Sequence, residues 1–145
     1  MLAGVHLLLQ LLIPLRFALY PGSVNWTEQG FRFAWRVLLI EKAGEVEYRV
    51  VVPQTGQRFT EYPRRSLSKL QYRMLSTQPD MIHQYARHIA QQYESRGFAD
   101  VSVYADAWVS LNGRQSQRLI DETVDLARVP RSLLPSRFIL PENAP

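Results

Sequence analysis

The sequence contains no cysteine in its 145 residues. This absence excludes a disulfide scaffold, a cysteine-ligated zinc site, an iron–sulfur cluster and thiol catalysis. It leaves the cellular compartment open, because a chain without cysteine is stable in oxidising and in reducing surroundings. The apolar fraction of 46% and the charged fraction of 21% are typical of a globular chain, and the length suits one domain rather than two.

Lysine is scarce as well, with only Lys42 and Lys69 against fifteen arginines, and the formal net charge is +4. The densest basic stretch runs from Arg64 to Arg73. We interpret this stretch as a solvated basic face, with anionic lipid or an acidic partner as the alternatives. Aromatic residues do not interleave with arginine as they do in RNA-binding motifs, so the sequence predicts no nucleic-acid partner.

A hydrophobic run of full membrane-spanning length is also missing. Residues Leu2–Leu15 are apolar apart from His6, Gln10 and Pro14, but the run stops at Arg16, short of the roughly twenty residues that a span needs. No basic residue precedes the run and no small-residue cleavage site follows it, so it makes a poor signal peptide. Three interpretations remain: a buried core helix, an interfacial helix, or the C-terminal half of a transmembrane helix.

We favour the transmembrane interpretation, because an interfacial helix needs a polar face and this run is apolar on all sides. Arg16 then marks the water interface, and Tyr20 and Trp26 beyond it are predicted to be interfacial aromatics. The sequence therefore predicts the end of a transmembrane helix at residues 1–19, a soluble domain at 20–129 and an extended, proline-rich tail at 130–145.

Alternating apolar and polar residues predict strands in the first half of the soluble part. The alternation from Phe31 to Leu39 predicts one strand with a buried face. Glu45–Val52 predicts a second strand, and Gln57–Tyr62 predicts its return after the turn at Pro53–Gly56.

Two helices are predicted next. Ser66–Leu75 is predicted to be short, and Thr77 is predicted to cap a longer helix that has Pro79 in its first turn and ends at Gly97. The buried face of the longer helix is predicted from residues at three- and four-residue spacing: Ile82, Tyr85, Ala86, Ile89 and Tyr93.

A C-terminal hairpin completes the predicted fold. Val101–Leu111 alternates strictly, Asn112-Gly113 is a strong hairpin turn, and Arg114–Ile120 is predicted to return along the strand. The fold class is therefore α+β: an N-terminal apolar helix stub, a small antiparallel sheet, two helices and a C-terminal β-hairpin.

The chain shows no complete catalytic constellation, so we assign no catalytic residue and no metal site. His83 and His88 are five positions apart and point in different directions on a helix. Asp121, Glu122 and Asp125 lack the glycine and the alternating spacing of a calcium loop, so a solvated or capping role is predicted for them.

The loop from Leu15 to Trp35 concentrates amide, hydroxyl and carboxylate groups between aromatic residues. Such a loop at the bilayer edge can bind a polar substrate, although spacing alone favours a structural role for its aromatic and turn residues. Its sequence is one of two blocks that resemble the vitamin K-dependent gamma-carboxylase family and its bacterial HTTM-domain relatives. The first block consists of Gln10–Arg16, Tyr20–Gly22, Asn25–Glu28, Gly30, Phe33 and Trp35, and the second of Tyr104–Arg114, Gln117–Asp121 and Val124–Leu126.

The resemblance implies a function at a membrane. The family converts peptidyl glutamate to gamma-carboxyglutamate: it couples oxidation of vitamin K hydroquinone by O2 to removal of a glutamate gamma-proton, and the carbanion captures CO2. Its general base is a lysine in the upstream transmembrane region, which neither Lys42 nor Lys69 matches. The implied identity is therefore a C-terminal fragment of such a protein, inactive alone, that contains no cofactor. The alternative is a non-enzymatic, membrane-associated binding module that keeps only the fold.

The resemblance also implies partners and site residues. The implied partners are the lipid bilayer, an upstream transmembrane region in the same or another chain, and a glutamate-containing peptide. By motif match, the substrate-binding residues are Tyr20, Asn25, Trp26, Thr27 and Gly30. In this hypothesis the amide and hydroxyl hold a glutamate carboxylate while the aromatic rings exclude water from a carbanion.

Overall fold

The computed structural model describes residues 2–35 and 40–143. It confirms the α+β class: an apolar N-terminal helix, a four-stranded antiparallel sheet and further helices. The α-helices are α1 (Leu2–Leu15), α2 (Val24–Thr27), α3 (Lys69–Thr77) and α4 (Pro79–Ser95), and the strands are β1 (Lys42–Val51), β2 (Arg58–Glu61), β3 (Ser102–Leu111) and β4 (Gln117–Arg118). Short 3-10 helices occupy Arg16–Leu19 and Pro63–Arg65.

The sheet has the strand order β2-β1-β3-β4. The two predicted hairpins, β1–β2 and β3–β4, are both present. The long strands β1 and β3 pair along their whole length, with Lys42 opposite Leu111 and Val51 opposite Ser102. The C-terminal hairpin is therefore part of the same sheet as the first hairpin.

One face of this sheet is covered by α3 and α4, and together these elements form what we call the body. Alternate residues of β1 point toward the helices, so Val46, Tyr48 and Val50 are buried. The Tyr48 hydroxyl donates to the carbonyl of Ile82 on α4 at 3.1 Å. Four of the five residues predicted for the buried face of α4 are buried, namely Ile82, Ala86, Ile89 and Tyr93. The fifth, Tyr85, is half-buried.

The strand predicted from Phe31 to Leu39 is wrong for its described part. Residues 31–35 form turns, and Phe33 has a φ of 65°, which interrupts an extended chain. The carbonyl of Arg32 accepts a hydrogen bond from Arg16 instead of a strand partner. Residues 36–39, the remainder of this prediction, lie outside the described residues.

The cap of the longer helix is one residue later than predicted. Gln78 is the N-cap of α4, in an extended conformation that the following Pro79 favours. Thr77 instead ends α3, and its hydroxyl donates to the carbonyl of Arg73 at 2.9 Å.

Helix α1 does not contribute to the core of the body, because only Pro14 within it is buried. Together with the following turn, residues Leu2–Leu19 have a mean hydropathy of 1.8 over 18 residues, and 6% of this window is buried. Among the described residues this is the one helix whose length and composition allow it to cross a membrane; a signal sequence meets the same criteria.

The C-terminal segment returns to the body after β4. Ile120 forms a bridge with Ile139, and Leu140 donates its amide to Leu119 at 2.9 Å. Phe138 is buried in the core. These contacts bring residues 130–139 beside the end of α1.

Candidate functional site

A cleft of about 480 Å³ lies beside the end of α1. Three segments form it: the loop after α1, the first turns of α4 and the C-terminal segment. We call residues 16–35 and 130–139 the rim of this cleft. The lining residues are Arg16, Tyr20, Thr27–Gly30, Arg32, Pro79, Asp80, His83, Gln84, Pro130–Leu134, Ser136, Phe138 and Ile139.

A hydrogen bond joins the two halves of the rim, and two more hold the first half in its folded-back conformation. The Tyr20 hydroxyl donates to the carbonyl of Leu133 at 2.7 Å, across 113 positions of sequence. The Arg16 guanidinium donates to the carbonyls of Arg32 at 2.9 Å and Gly30 at 3.5 Å. The segment directly after α1 therefore binds both the loop that follows it and the turn near the C-terminus.

Gly30 is required at its position in the rim. Its φ is +70°, and a Cβ there would lie 2.7 Å from the Cα of Phe17 and 2.9 Å from the ring of Tyr20. A larger residue must therefore adopt a left-handed conformation and also displace backbone. Gly30 lets the loop fold back directly onto the turn after α1.

Trp26 lies inside the protein. Its side chain is 1% exposed, and its indole N–H donates to the carbonyl of Leu140 at 2.8 Å. The prediction that Trp26 is an interfacial aromatic is therefore wrong, since a buried indole cannot reach a bilayer interface. Trp35, by contrast, is 73% exposed.

A buried ion pair lies behind the loop. The Lys42 Nζ is 2.8 Å from the Glu28 Oε1, and the side chains are 4% and 15% exposed. The same ammonium donates to the carbonyls of Trp26 at 2.7 Å and Thr77 at 3.5 Å. Lys42 thus joins the loop to the start of β1 and to the junction of α3 and α4.

Burial has the largest effect on the pKa values of Lys42 and Glu28. Desolvation lowers the pKa of Lys42 and raises the pKa of Glu28, and their mutual attraction opposes both changes. From its sequence, Lys42 was expected only to lie in a soluble segment, and this buried contact was not predicted. A period of two along β1 puts Lys42 on the same face as buried Val46, and that pattern is the signal that could have revealed it.

Two arginines that line the cleft, Arg32 and Arg131, differ in whether they have a charged partner. The Arg32 guanidinium pairs with the Asp80 carboxylate at 2.5 Å, and both side chains are exposed. Within the described part of the chain, Arg131 is exposed and makes no hydrogen bond or ion pair. A guanidinium without a partner, in a cleft of peptide size, can take a carboxylate in bidentate fashion.

His83 forms part of the floor of the cleft. Its Nε2 lies 2.9 Å from the carbonyl of Val129, to which it donates, and its ring packs against Phe138 at 5.3 Å between centroids. Burial, together with the nearby Arg87 and Arg131 guanidinium groups, lowers the pKa of His83. The imidazole is therefore neutral near pH 7.

The structure brings together three of the five residues predicted to bind substrate. Tyr20, Thr27 and Gly30 line the cleft. Trp26 supports the loop from inside, and Asn25 is half-buried on α2 and is not among the lining residues. The Thr27 hydroxyl donates to the carbonyl of Ser23 at 3.2 Å, so it shapes the loop.

A larger cleft of about 540 Å³ lies between α3 and α4. It shares Gln84 and Arg131 with the cleft beside α1 but contains none of the predicted site residues, so the cleft beside α1 is the better candidate site. No group of three His, Asp or Glu side chains that could hold a metal occurs in residues 2–35 and 40–143. In the acidic cluster, Asp121 accepts a hydrogen bond from the Thr123 amide at 2.9 Å, and Asp125 accepts from the amides of Val103 and Ala127, so both carboxylates bind backbone N–H groups of the chain itself.

Comparison with known proteins gives one family. The family model described as vitamin K-dependent gamma-carboxylase, lumenal domain, matches residues 1–144. No solved structure matches the chain.

Proposed function

The chain belongs to the family of vitamin K-dependent gamma-carboxylase lumenal domains, and from this premise we propose that it is the substrate-side domain of a gamma-glutamyl carboxylase-like membrane protein. Its cleft holds a glutamate-containing peptide at the bilayer edge, next to a transmembrane region that supplies the general base. The domain contributes binding and orientation, and proton removal takes place outside it.

Arg131 is the observation that carries this proposal. Its guanidinium lies on the cleft without a partner in the described residues, whereas Arg32 is paired with Asp80. A peptide carboxylate that enters the cleft can pair with this cation, and charge-assisted hydrogen bonds of this kind are among the strong ones. Tyr20 and Gly30 line the same cleft, so a peptide bound at Arg131 contacts the loop after α1 as well.

The cosubstrates belong to the remainder of the proposed protein. The cleft lining combines arginine, hydroxyl, amide and carboxylate groups, which suits a charged peptide better than a naphthoquinone ring. We therefore assign vitamin K hydroquinone, O2 and CO2 to the transmembrane region and derive no step of the oxidation from this chain.

Peptide binding to the full chain in nanodiscs tests the proposal. A peptide that contains glutamate is compared with the same peptide containing glutamine, by fluorescence anisotropy. Arg131→Gln is expected to weaken binding of the glutamate peptide by about tenfold or more, since hydrogen bonds to charged groups contribute about 1.5–3 kcal/mol. Arg58→Gln, at another exposed arginine, on β2, is the matched control and is expected to leave binding unchanged. Equal affinity for the two peptides would refute the proposal.

Carbon dioxide incorporation separates this proposal from a complete enzyme. The chain alone, supplied with the glutamate peptide and vitamin K hydroquinone, is expected to incorporate no labelled CO2. Incorporation would show that the chemical centre lies in this chain. The DNA upstream of Met1 tests the alternative of a free-standing binding module: encoded apolar helices there favour the carboxylase-like protein, and their absence favours the module.

A further inference from the structure

The rim presents large apolar side chains to solvent. Leu133 is 85% exposed, Leu134 is 74% exposed, and the loop half of the rim adds three more. These three are Leu19, Phe33 and Trp35. Exposed apolar residues on one side of a protein mark an interaction surface rather than ordinary scatter.

The turn that carries the two leucines is ordered by its own contacts. The Leu134 amide donates to the Ser132 hydroxyl at 3.0 Å, and prolines stand at positions 130 and 135. The chain is held on one side by the bond from His83 to the Val129 carbonyl and on the other by buried Phe138. Both leucines are therefore exposed on a fixed turn.

This turn lies at the end of α1. The hydrogen bond from Tyr20 to the Leu133 carbonyl joins it to a point four residues after Arg16. The Arg16 guanidinium also lies 5.9 Å from the centre of the Phe33 ring. A bilayer that surrounds α1 ends near Arg16, so the exposed side chains of the rim lie at its surface.

We propose that the turn Arg131–Ser136 is a second membrane anchor, which inserts Leu133 and Leu134 into the interface of the bilayer that holds α1. Arg137, exposed directly after the turn, lies where it can contact anionic lipid headgroups. A second copy of the chain is a poorer occupant, because the turn is bonded to the segment directly after α1, where the bilayer that surrounds α1 already provides an apolar cover. The inference rests on the membrane placement of α1 within the proposed function, and it does not depend on carboxylation or peptide binding.

The anchor fixes how the cleft faces the membrane. The loop half of the rim is bonded to Arg16, which directly follows α1, and in this proposal the Leu133 side chain holds the C-terminal half to the lipid. Both walls of the cleft are then held against the bilayer, so that a bound peptide approaches the membrane edge without reorientation of the domain.

Site-specific fluorescence tests the anchor, since the absence of cysteine allows one label per chain. The full chain carrying Leu133→Cys is labelled with an environment-sensitive fluorophore and reconstituted into phosphatidylcholine–phosphatidylglycerol vesicles that contain doxyl-labelled lipid. Gln54→Cys is the control, because Gln54 is exposed in the β1–β2 turn, at the opposite end of β1 from Lys42.

The label at position 133 is expected to show a blue shift and several-fold stronger quenching than the label at position 54. Leu134→Ser and Arg137→Gln are each expected to reduce this quenching, the second only in vesicles with phosphatidylglycerol. Quenching equal to that at position 54 would overturn the anchor. So would a blue shift without quenching, which indicates a protein cover, or a blue shift that rises with protein concentration, which indicates a second copy. Loss of peptide binding in the earlier experiment leaves the quenching result unaffected, so the two proposals fail separately.

Discussion

The body and the rim are stabilised in different ways. The body buries apolar side chains at alternate strand positions and at three- and four-residue spacing on α4. The rim exposes its apolar side chains and is held by polar bonds between distant positions, such as Tyr20 to Leu133 and Trp26 to Leu140. A local pattern therefore encodes the body, whereas the rim forms only once the body has brought its segments together.

Two residues join these regions. Trp26 inserts its indole into the core, and Lys42 extends from β1 to the carbonyl of Trp26 and the carboxylate of Glu28. If the rim depends on the body, breaking this junction must cost more than any change confined to the rim.

The largest expected effect follows Lys42→Met. The Glu28 side chain is only 15% exposed, and the substitution removes the cation that pairs with its carboxylate. Removal of one member of a buried pair costs about 3–5 kcal/mol of stability. Urea unfolding of the chain in mild detergent, followed by tryptophan fluorescence, measures the free energy of unfolding. The double variant Lys42→Met with Glu28→Gln is expected to regain most of this loss, because no unpaired charge stays buried. Additive losses in the two single variants would show that the pair does not act as a unit.

The second-largest expected effect distinguishes two costs of a side chain at Gly30: the left-handed backbone conformation and the steric clash with neighbouring atoms. Gly30 and Gly56 have φ values of +70° and +69°, but only a Cβ at Gly30 meets neighbouring atoms. Gly56→Ala is expected to lose about 1–2 kcal/mol from the left-handed conformation alone. Gly30→Ala is expected to lose more, and to weaken binding of the glutamate peptide as well, because the loop must move away from Phe17. Equal losses in the free energy of unfolding would mean that the loop yields to a side chain without cost.

Much of the body could be predicted from the sequence. Period-two alternation predicted β1 and β3, the Asn112-Gly113 turn predicted the second hairpin, and helical spacing predicted the buried face of α4. The pairing of β1 with β3 was not predictable, because both strands have hairpin partners nearer in sequence. The Phe31–Leu39 prediction failed over residues 31–35 because alternation says nothing about backbone that is held by a distant arginine.

The cleft could be predicted only in part. The motif match named Tyr20, Thr27 and Gly30, which line it. His83 and Arg131 were missed as site residues, because they reach the cleft from α4 and from the C-terminal segment. Their positions depend on contacts between residues such as Ile120 and Ile139, and no local pattern of charge or hydrophobicity records such contacts.

A smaller effect concerns pH, at the point where the body meets the rim. Burial lowers the folded-state pKa of His83 below the ordinary value of 6.5, so as the pH falls below 6.5 the unfolded chain binds a proton before the folded chain does. The stability contributed by neutral His83 is therefore complete above this value and is lost as the pH falls toward the folded-state pKa. The free energy of unfolding is expected to fall less between about pH 7 and about pH 5 in His83→Gln, whose amide can still donate to Val129. An identical fall in both proteins would exclude His83 as the cause.

The smallest expected effect is at the exposed pair between Arg32 in the rim and Asp80 in the body. The two side chains are 61% and 58% exposed, and exposed pairs contribute about 0–1 kcal/mol because water and salt screen them. Arg32→Gln is expected to change the free energy of unfolding within that range, and the difference is expected to vanish in concentrated salt. Arg118→Gln, which removes the partly exposed ion pairs to Asp106 and Glu122, gives the corresponding value for the body. A loss at Arg32 as large as that of Lys42→Met would mean that surface charge, rather than the buried junction at Lys42 and Trp26, holds the rim in place.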